Sequence, residues 1–324
     1  MGYYIGCDLG GTNIRAAVVD SETGEVIGLQ STPTLAHEGH DKVLERIALF
    51  IEKIITDASM TKADILGIGI GLPGSMDVNT GVTIFMTNLP DHWINVPVAD
   101  ILSKRLGIPT FILNDVRAIT WGEHQHGAGK GTNSMACFAL GTGIGGGVVL
   151  DGKLYMGQTG QAGEFGHIIV EPHGNRCNCR SYGCLETYAS GPAIRSAALK
   201  AVAHGSTTII GELVGYDLNK ITPRVVSEAA MKGDAIAKGI YDQAGYYLGI
   251  AISNIILSLE PECVVITGGV AAAGNLLFDP IKACVYERCF AAPPENSPII
   301  PGLLGDNAGI IGNSMWAEFK VNRK

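Results

Sequence analysis

The chain has 324 residues, 46% hydrophobic and 17% charged, with a formal net charge of −8. Its length exceeds one comfortable hydrophobic core and predicts two lobes of ordinary size. The acidic balance argues against a nucleic-acid surface, which needs clustered Lys and Arg, although backbone amides can still bind phosphate.

Met1-Gly2 leads almost at once into a strand, with no basic and then apolar leader, so a cytoplasmic protein is expected. Strand-like runs at 3–8, 14–20 and 26–32 come first, then a helix over 41–58 with Val43, Leu44, Ile47, Ile51, Ile54 and Ile55 on one side. A strand at 65–71, a helix over 96–106 closed by Gly107 and Pro109, and a strand at 110–113 complete a first lobe, residues 1–115. The second lobe, 116–305, opens with strands at 135–140 and 147–151. A loop-rich cysteine segment, three helical stretches and the strand 263–267 follow, the strand ending at Gly268-Gly269. The most apolar run, Ala244 to Leu259, is shorter than a membrane span and is broken by Ser253 and Asn254, so it reads as a buried helix and no membrane association is expected. A final helix over 306–324, with Asp306 as its cap and Ile310, Ile311, Met315, Trp316 and Phe319 on it, is expected to return to the first lobe.

Two glycine-threonine segments punctuate this order. Asp8-Leu9-Gly10-Gly11-Thr12-Asn13 and Gly141-Thr142-Gly143-Ile144-Gly145-Gly146-Gly147 each lie between two strand-like runs and read as hairpin turns. Glycine lets backbone N–H groups approach a ligand and threonine adds a hydroxyl, so both turns suit phosphate oxygens. The repeat points to one nucleotide held between two related halves. Two commoner motifs are only mimicked, in three places. Gly141-x-Gly143-x-x-Gly146 and Gly69-x-Gly71-x-x-Gly74 do not open helices, and Lys130 in Gly127-Ala-Gly-Lys130-Gly131 lacks the Ser or Thr of a P-loop.

Asn114-Asp115 follows a short apolar strand, placing polar groups at a strand's carboxyl end, where open α/β sheets put ligands. Asp115 there can accept a proton; the alternative is that it only caps the next helix. Cys177, Cys179 and Cys184 with His167 make a closed tetrahedral zinc set, and four protein ligands leave no open position, so the metal would be structural. Spacing alone leaves His173 as a competing ligand. Cys7, Cys137, Cys263, Cys284 and Cys289 lie in apolar runs and read as core. Asn88, Asn114, Asp115, Glu164, His167 and Glu186 form a polar set able to read sugar hydroxyls.

Asp8 to Asn13, Leu140 to Gly147, Glu164-Phe-Gly-His167 and Cys177-x-Cys179-x4-Cys184-x-Glu186 together resemble the repressor, open reading frame, kinase (ROK) family over essentially the whole chain. Pro73-Gly74 with Asp77, Trp93-x-Asn95-Val-Pro97 and Cys184 to Gly191 look most like its bacterial glucokinase branch. The resemblance implies an α/β, two-lobed actin-like ATPase (ribonuclease H-like) fold, with duplicated mixed-sheet domains and an interlobe cleft. It implies phosphorylation of a hexose by Mg-ATP, with glucose at its 6-hydroxyl leading and mannose, N-acetylmannosamine, fructose or allose behind. By the same resemblance Gly10, Gly11, Thr12 and Asn13 form the first phosphate loop and Thr142 and Gly143 the second. Gly268 and Gly269 border the adenosine and Asp115 is the catalytic base. Asn114, Glu164, His167 and Glu186 contact the sugar, so His167 serves both sugar and zinc. Asp8 is expected to position Mg²⁺ through water. A homodimer or dimer of dimers is implied. Arg180 departs from the family's usual glycine after the second cysteine and would be strained at a glycine-specific angle. Val116-Arg117 replaces residues that are often small. A DNA-binding regulator of the same family would carry a preceding helix-turn-helix, for which a chain opening on Tyr3 to Asp8 leaves no room. Glu164, His167 and the cysteines speak against an actin- or chaperone-type ATPase without a sugar acceptor.

Overall fold

A computed structural model describes residues 2–87 and 89–323. Residues up to 131, 148–162 and from 303 onward form one compact unit, and 132–147 with 163–302 form another. The first unit begins with strands β1 (Tyr3–Leu9), β2 (Asn13–Asp20) and β3 (Val26–Pro33) and helix α1 (His40–Asp57). Strand β4 (Ile65–Leu72), a short hairpin of β5 (Ser75–Asp77) and β6 (Val82–Phe85), helix α2 (Val98–Leu106), strand β7 (Thr110–Asn114) and helix α3 (Asp115–His126) follow. The β5–β6 hairpin was not expected, since a three-residue strand is too short to show periodicity.

The sheet order is β3-β2-β1-β4-β7. Strands β1 and β2 pair antiparallel up to Leu9↔Ile14, which leaves residues 10–13 at the turn, whereas β1, β4 and β7 run parallel. Central parallel strands are covered on both faces, so β4 is a nearly continuous apolar and glycine run. Helix α1 presents the predicted row Val43, Leu44, Ile47, Ile51, Ile54 and Ile55, all buried, to β2 and β3.

A second sheet is built on β8 (Met135–Leu140), β9 (Ile144–Leu150), β10 (Lys153–Leu154), β11 (Cys263–Thr267) and β12 (Ile299–Pro301) in the order β10-β9-β8-β11-β12; residues 148–162, which carry β10 and most of β9, group with the first unit and the other strands with the second. Strand for strand this repeats the first sheet. The later β9–β10 pair is antiparallel and β8, β11 and β12 run parallel. Strand β9 begins at Ile144, three residues before the expected Gly147, because its glycines continue the ladder. Helices α4 (Glu186–Ala189), α5 (Gly191–Ala203), α6 (Ile210–Leu213), α7 (Pro223–Met231), α8 (Ala235–Leu259) and α9 (Asn275–Arg288) fill out the second unit. The apolar α8 packs against α9, α7, α5 and α4, and among the described residues no helix is long and apolar enough to cross a membrane.

The last helix, α10 (Ala308–Val321), packs on β1, β4 and α3 within the first unit. Because α3 packs there too, that unit extends past 115 to 131. Asp306 does not cap α10: it sits in a single 3₁₀ turn, and the N-cap position is Asn307, without a side-chain cap bond. Arg15 Nη1 instead donates to the Asp306 carbonyl at 3.0 Å. Helix and sheet meet backbone to backbone, since a Cβ on Gly6 would lie 1.9 Å from the Ile310 carbonyl oxygen and one on Gly69 1.8 Å from that of Asn313. Gly312 meets the Ala118 carbonyl oxygen of α3 in the same way, at 1.7 Å. These are distances no methyl can occupy. Gly69→Ala is therefore expected to cost about 3 kcal/mol of stability, read as a lower urea midpoint at unchanged slope.

Candidate active site

Asp8 lies near the carboxyl end of β1, and Asn114 ends β7. Their common neighbour β4 aligns Gly71 with Asp8 on one side, and Gly71 and Leu72 with Leu113 and Asn114 on the other. All these polar groups therefore emerge along one edge of the sheet, the edge where α/β folds bind ligands. A Cβ at Gly71 would lie 3.2 Å from Asp8 Oδ1, so the bare backbone there leaves the carboxylate its space.

Asn114, expected on the sugar, is the N-cap of α3. Its Oδ1 accepts from Val116 N at 3.1 Å, Arg117 N at 3.2 Å and Arg117 Nη1 at 2.9 Å, while its Nδ2 donates to the Gly74 carbonyl at 3.2 Å. Asp115 is thereby released from capping and begins the helix, its Oδ1 accepting from Val116 N at 2.9 Å. Burial, and then the negative charge of Asp8, push the Asp115 carboxyl up to about 6. Burial raises Asp8 also, partly offset by Arg15. Arg117 turns inward beside this pair, 3% exposed, and helps keep Asp115 ionised. The sequence marked it only as a large residue, with Val116, where small ones are frequent; its inward turn beside Asp115 came from the fold.

Thr34 holds the turn at 10–13. Its N–H donates to the Thr12 carbonyl at 2.8 Å and its hydroxyl to the Gly10 carbonyl at 2.7 Å, while Gly10 N donates to Asn13 O at 2.9 Å. Gly11, Thr12 and Asn13 are exposed. Asn88 lies outside the described residues.

In the second unit, the turns at Thr142-Gly143 and Gly268-Gly269 leave the neighbouring parallel strands β8 and β11 at one end, with Thr267 aligned to Ala139. Gly268 has φ +92° and a Cβ there would lie 2.4 Å from the Leu140 carbonyl oxygen, so this position needs glycine on both counts. Gly141, Thr142 and Gly269 line a groove of about 640 Å³ with Arg195, Arg224 and Pro223. Those last three residues carried no recognisable sequence signal, because they come from helices distant in the chain. Glu186 is the first residue of α4, and Glu164 directly precedes the 3₁₀ turn Phe165–His167.

His167, Cys177, Cys179 and Cys184 converge, their ligand atoms all within 4.8 Å of one another. Cys179 and Cys184 Sγ are 3.6 Å apart, and Cys177 Sγ is 3.8 Å from His167 Nδ1. A tetrahedron with metal–sulfur bonds of ~2.3 Å has edges of ~3.8 Å, so the spacing fits a four-coordinate ion and is far too long for a disulfide. The cluster can hold a metal. It takes His167 and not the exposed His173. Arg180 does occupy the strained angle, φ 75°, at a cost of about 1–2 kcal/mol.

Two five-stranded sheets of one topology, each with a glycine-threonine turn after its first strand, define an actin-like ATPase fold of the sugar-kinase class. The chain belongs to the ROK family, whose pattern matches residues 4–320. It is 36% identical over 322 residues to a glucokinase of Halalkalibacterium halodurans, covering 99% of this chain and 96% of that one. It is 37% identical over 308 residues to a glucokinase of Thermotoga maritima, covering 95% of each. A ROK family glucokinase from Streptomyces griseus, solved in complex with glucose and AMPPNP, superposes with a TM-score of 0.80 at 32% identity, covering 98% of this chain and 100% of that one.

A folded-state carboxyl raised above its unfolded value weakens the fold where it is ionised. The Asp115 penalty is absent below the ordinary aspartate value of 3.8 and complete above about 6. Asp115→Asn, which keeps the acceptor for Val116 N, should accordingly raise the melting temperature at pH 7.5, and this gain should vanish by pH 3.5.

Proposed function

We propose that this chain transfers the γ-phosphoryl group of ATP to the 6-hydroxyl of glucose. The observation that carries the reading is the Asp115 carboxyl, freed from capping by Asn114 and pushed up to about 6 beside Asp8 at the carboxyl end of a parallel sheet. Such a group is ionised at neutral pH and close enough to it to take a proton. The glucose and AMPPNP bound by the Streptomyces griseus relative support the same choice of substrates.

In this reaction the sugar O6 forms a bond to Pγ as the bond from Pγ to the β,γ-bridging oxygen breaks, and the hydroxyl proton passes to Asp115. Phosphoryl transfer goes through a loose transition state, so most of the acceleration comes from alignment and charge neutralisation. The turn at 10–13 and the turn at 142–143 hold the phosphates through their N–H groups, with the Thr12 and Thr142 hydroxyls adding donors. The groove beside Gly269 takes the adenosine. Glu164, His167 and Glu186 read the sugar hydroxyls, with Asn88 and the remaining Nδ2 hydrogen of Asn114. Asp8 would hold Mg²⁺ through water, and its raised carboxyl beside a second carboxylate suits a divalent cation, which supplies charge neutralisation when bound. His167, Cys177, Cys179 and Cys184 would hold zinc, and four protein ligands leave it a structural part.

ADP release measured across a panel of hexoses tests the reading, with glucose expected to give the highest kcat/KM. Asp115→Asn should lower kcat by about 10²- to 10⁴-fold with ATP binding nearly intact, and wild-type rates should fall as pH drops through about 6. Near-normal turnover of that variant would remove Asp115 from the chemistry. Purified protein is expected to carry about one zinc per chain, and strong chelation to lower its melting temperature.

A further inference from the structure

Glu186 has a second attachment that its place after the cysteines did not reveal. Its Oε2 accepts the N–H of Ile144 at 3.0 Å. Ile144 opens β9 directly after Thr142-Gly143, and a Cβ on Gly143 would come within 2.5 Å of that same oxygen. The glycine is what lets the carboxylate reach the turn. The other end of the turn is held by the same stretch of chain, since Gly191 N donates to the Gly141 carbonyl at 2.9 Å.

The opposite side of Glu186 is tied to the metal-ligand cluster. Leu185 N donates to the Ile168 carbonyl at 2.9 Å, joining the residue after Cys184 to the residue after His167. The Thr187 hydroxyl donates to the Cys184 carbonyl at 2.8 Å, closing the backbone around the ligand. Two cluster residues therefore flank a short hydrogen-bonded segment, and the next side chain along it grips the glycine turn. A carboxylate beside polyphosphate repels it, so its value at this place lies in orienting the Ile144 peptide and the turn before it.

We propose that Glu186 is a positioning residue through which occupancy of the His167, Cys177, Cys179 and Cys184 cluster sets nucleotide affinity. This rests on the reading of 141–143 as a phosphate loop. Its Oε1 is left for a sugar hydroxyl, so one side chain would register zinc, sugar and nucleotide together.

The test is calorimetric binding of AMPPNP and of glucose to zinc-loaded and chelator-treated protein, in wild type, Glu186→Ala and Glu186→Gln, with zinc content and melting temperature recorded. In zinc-loaded Glu186→Ala the AMPPNP Kd should rise about tenfold with zinc content unchanged. Glu186→Gln keeps an acceptor for Ile144 N and should bind AMPPNP within about threefold of wild type. Chelation should weaken AMPPNP binding in wild type and add little in Glu186→Ala, the non-additivity of residues acting in series. Unchanged AMPPNP affinity in Glu186→Ala, with only glucose binding lost, would make Glu186 a sugar ligand alone and overturn the proposal. Equal losses on chelation in both proteins would also overturn it. If chelation unfolds the protein, the contrast between the alanine and glutamine variants decides. Wild-type protein that binds glucose but no AMPPNP would sink the phosphate-loop reading itself.

Discussion

The first unit depends on a direct backbone contact between α10 and the centre of its sheet. Gly6 and Gly69 leave no side chain between strand and helix, so carbonyls of α10 lie where a Cβ would otherwise be. Asn313 Nδ2 donates to the Cys7 carbonyl at 2.8 Å and Trp316 Nε1 to the Ile112 carbonyl at 3.1 Å, pinning the helix to β1 and to the middle of β7. Those two strands deliver Asp8 and Asp115. The chain's last helix thus fixes the distance between carboxylates more than 100 positions apart in the sequence, and the rigidity of close packing makes that distance hard to change.

The electrostatics follow from this placement. Burial alone would raise either carboxyl, but each is also near a guanidinium, Arg15 for Asp8 and Arg117 for Asp115. For Asp115, burial and the second carboxylate outweigh the guanidinium, leaving a group ionised at neutral pH but poised for protonation just below it. A fully paired aspartate would be too weak a base, and an unrelieved buried one would stay protonated. Stability is given up where this carboxyl is ionised, a cost of the kind that folds generally carry at functional sites.

The cysteine segment plays the corresponding role in the second unit. It has little regular structure, and few loops of this length hold a shape without help. Here backbone bonds between Cys177 N and Ser181 O, and between Gly183 N and Asn175 O, fold it around four convergent ligand atoms. Gly183 at φ +70° fits this backbone without strain, whereas Arg180 at φ 75° does not. At Arg180 the left-handed turn is held by its own N–H, which donates to the Cys177 carbonyl at 2.9 Å.

Much of this was legible in the residues. The alternating and helical apolar patterns marked β1 to β4, α1, α8 and α10, since burial of one face imposes a period on sequence. The two glycine-threonine turns, the Asn114-Asp115 pair and the three cysteines were visible because their chemistry is local. Other decisions needed the folded chain. Which histidine joins the cysteines was left open by spacing, and convergence chose His167. Asn114 reads as a sugar ligand in sequence, and its further task, capping α3 through Oδ1, becomes visible only once the helix exists. The glycines of Gly69-x-Gly71-x-x-Gly74 look like a nucleotide motif. At Gly69 the glycine is there for the close approach of a helix some 240 residues away, and Gly71 also faces Asn313 of that helix. Sequence alone determined the order of the long periodic elements and the types of chemistry available, because periodicity and side-chain identity are local, and it missed short elements such as β5 and β6. Only tertiary structure decided which groups share a site and what their neighbours do to their charge, because those are matters of distance.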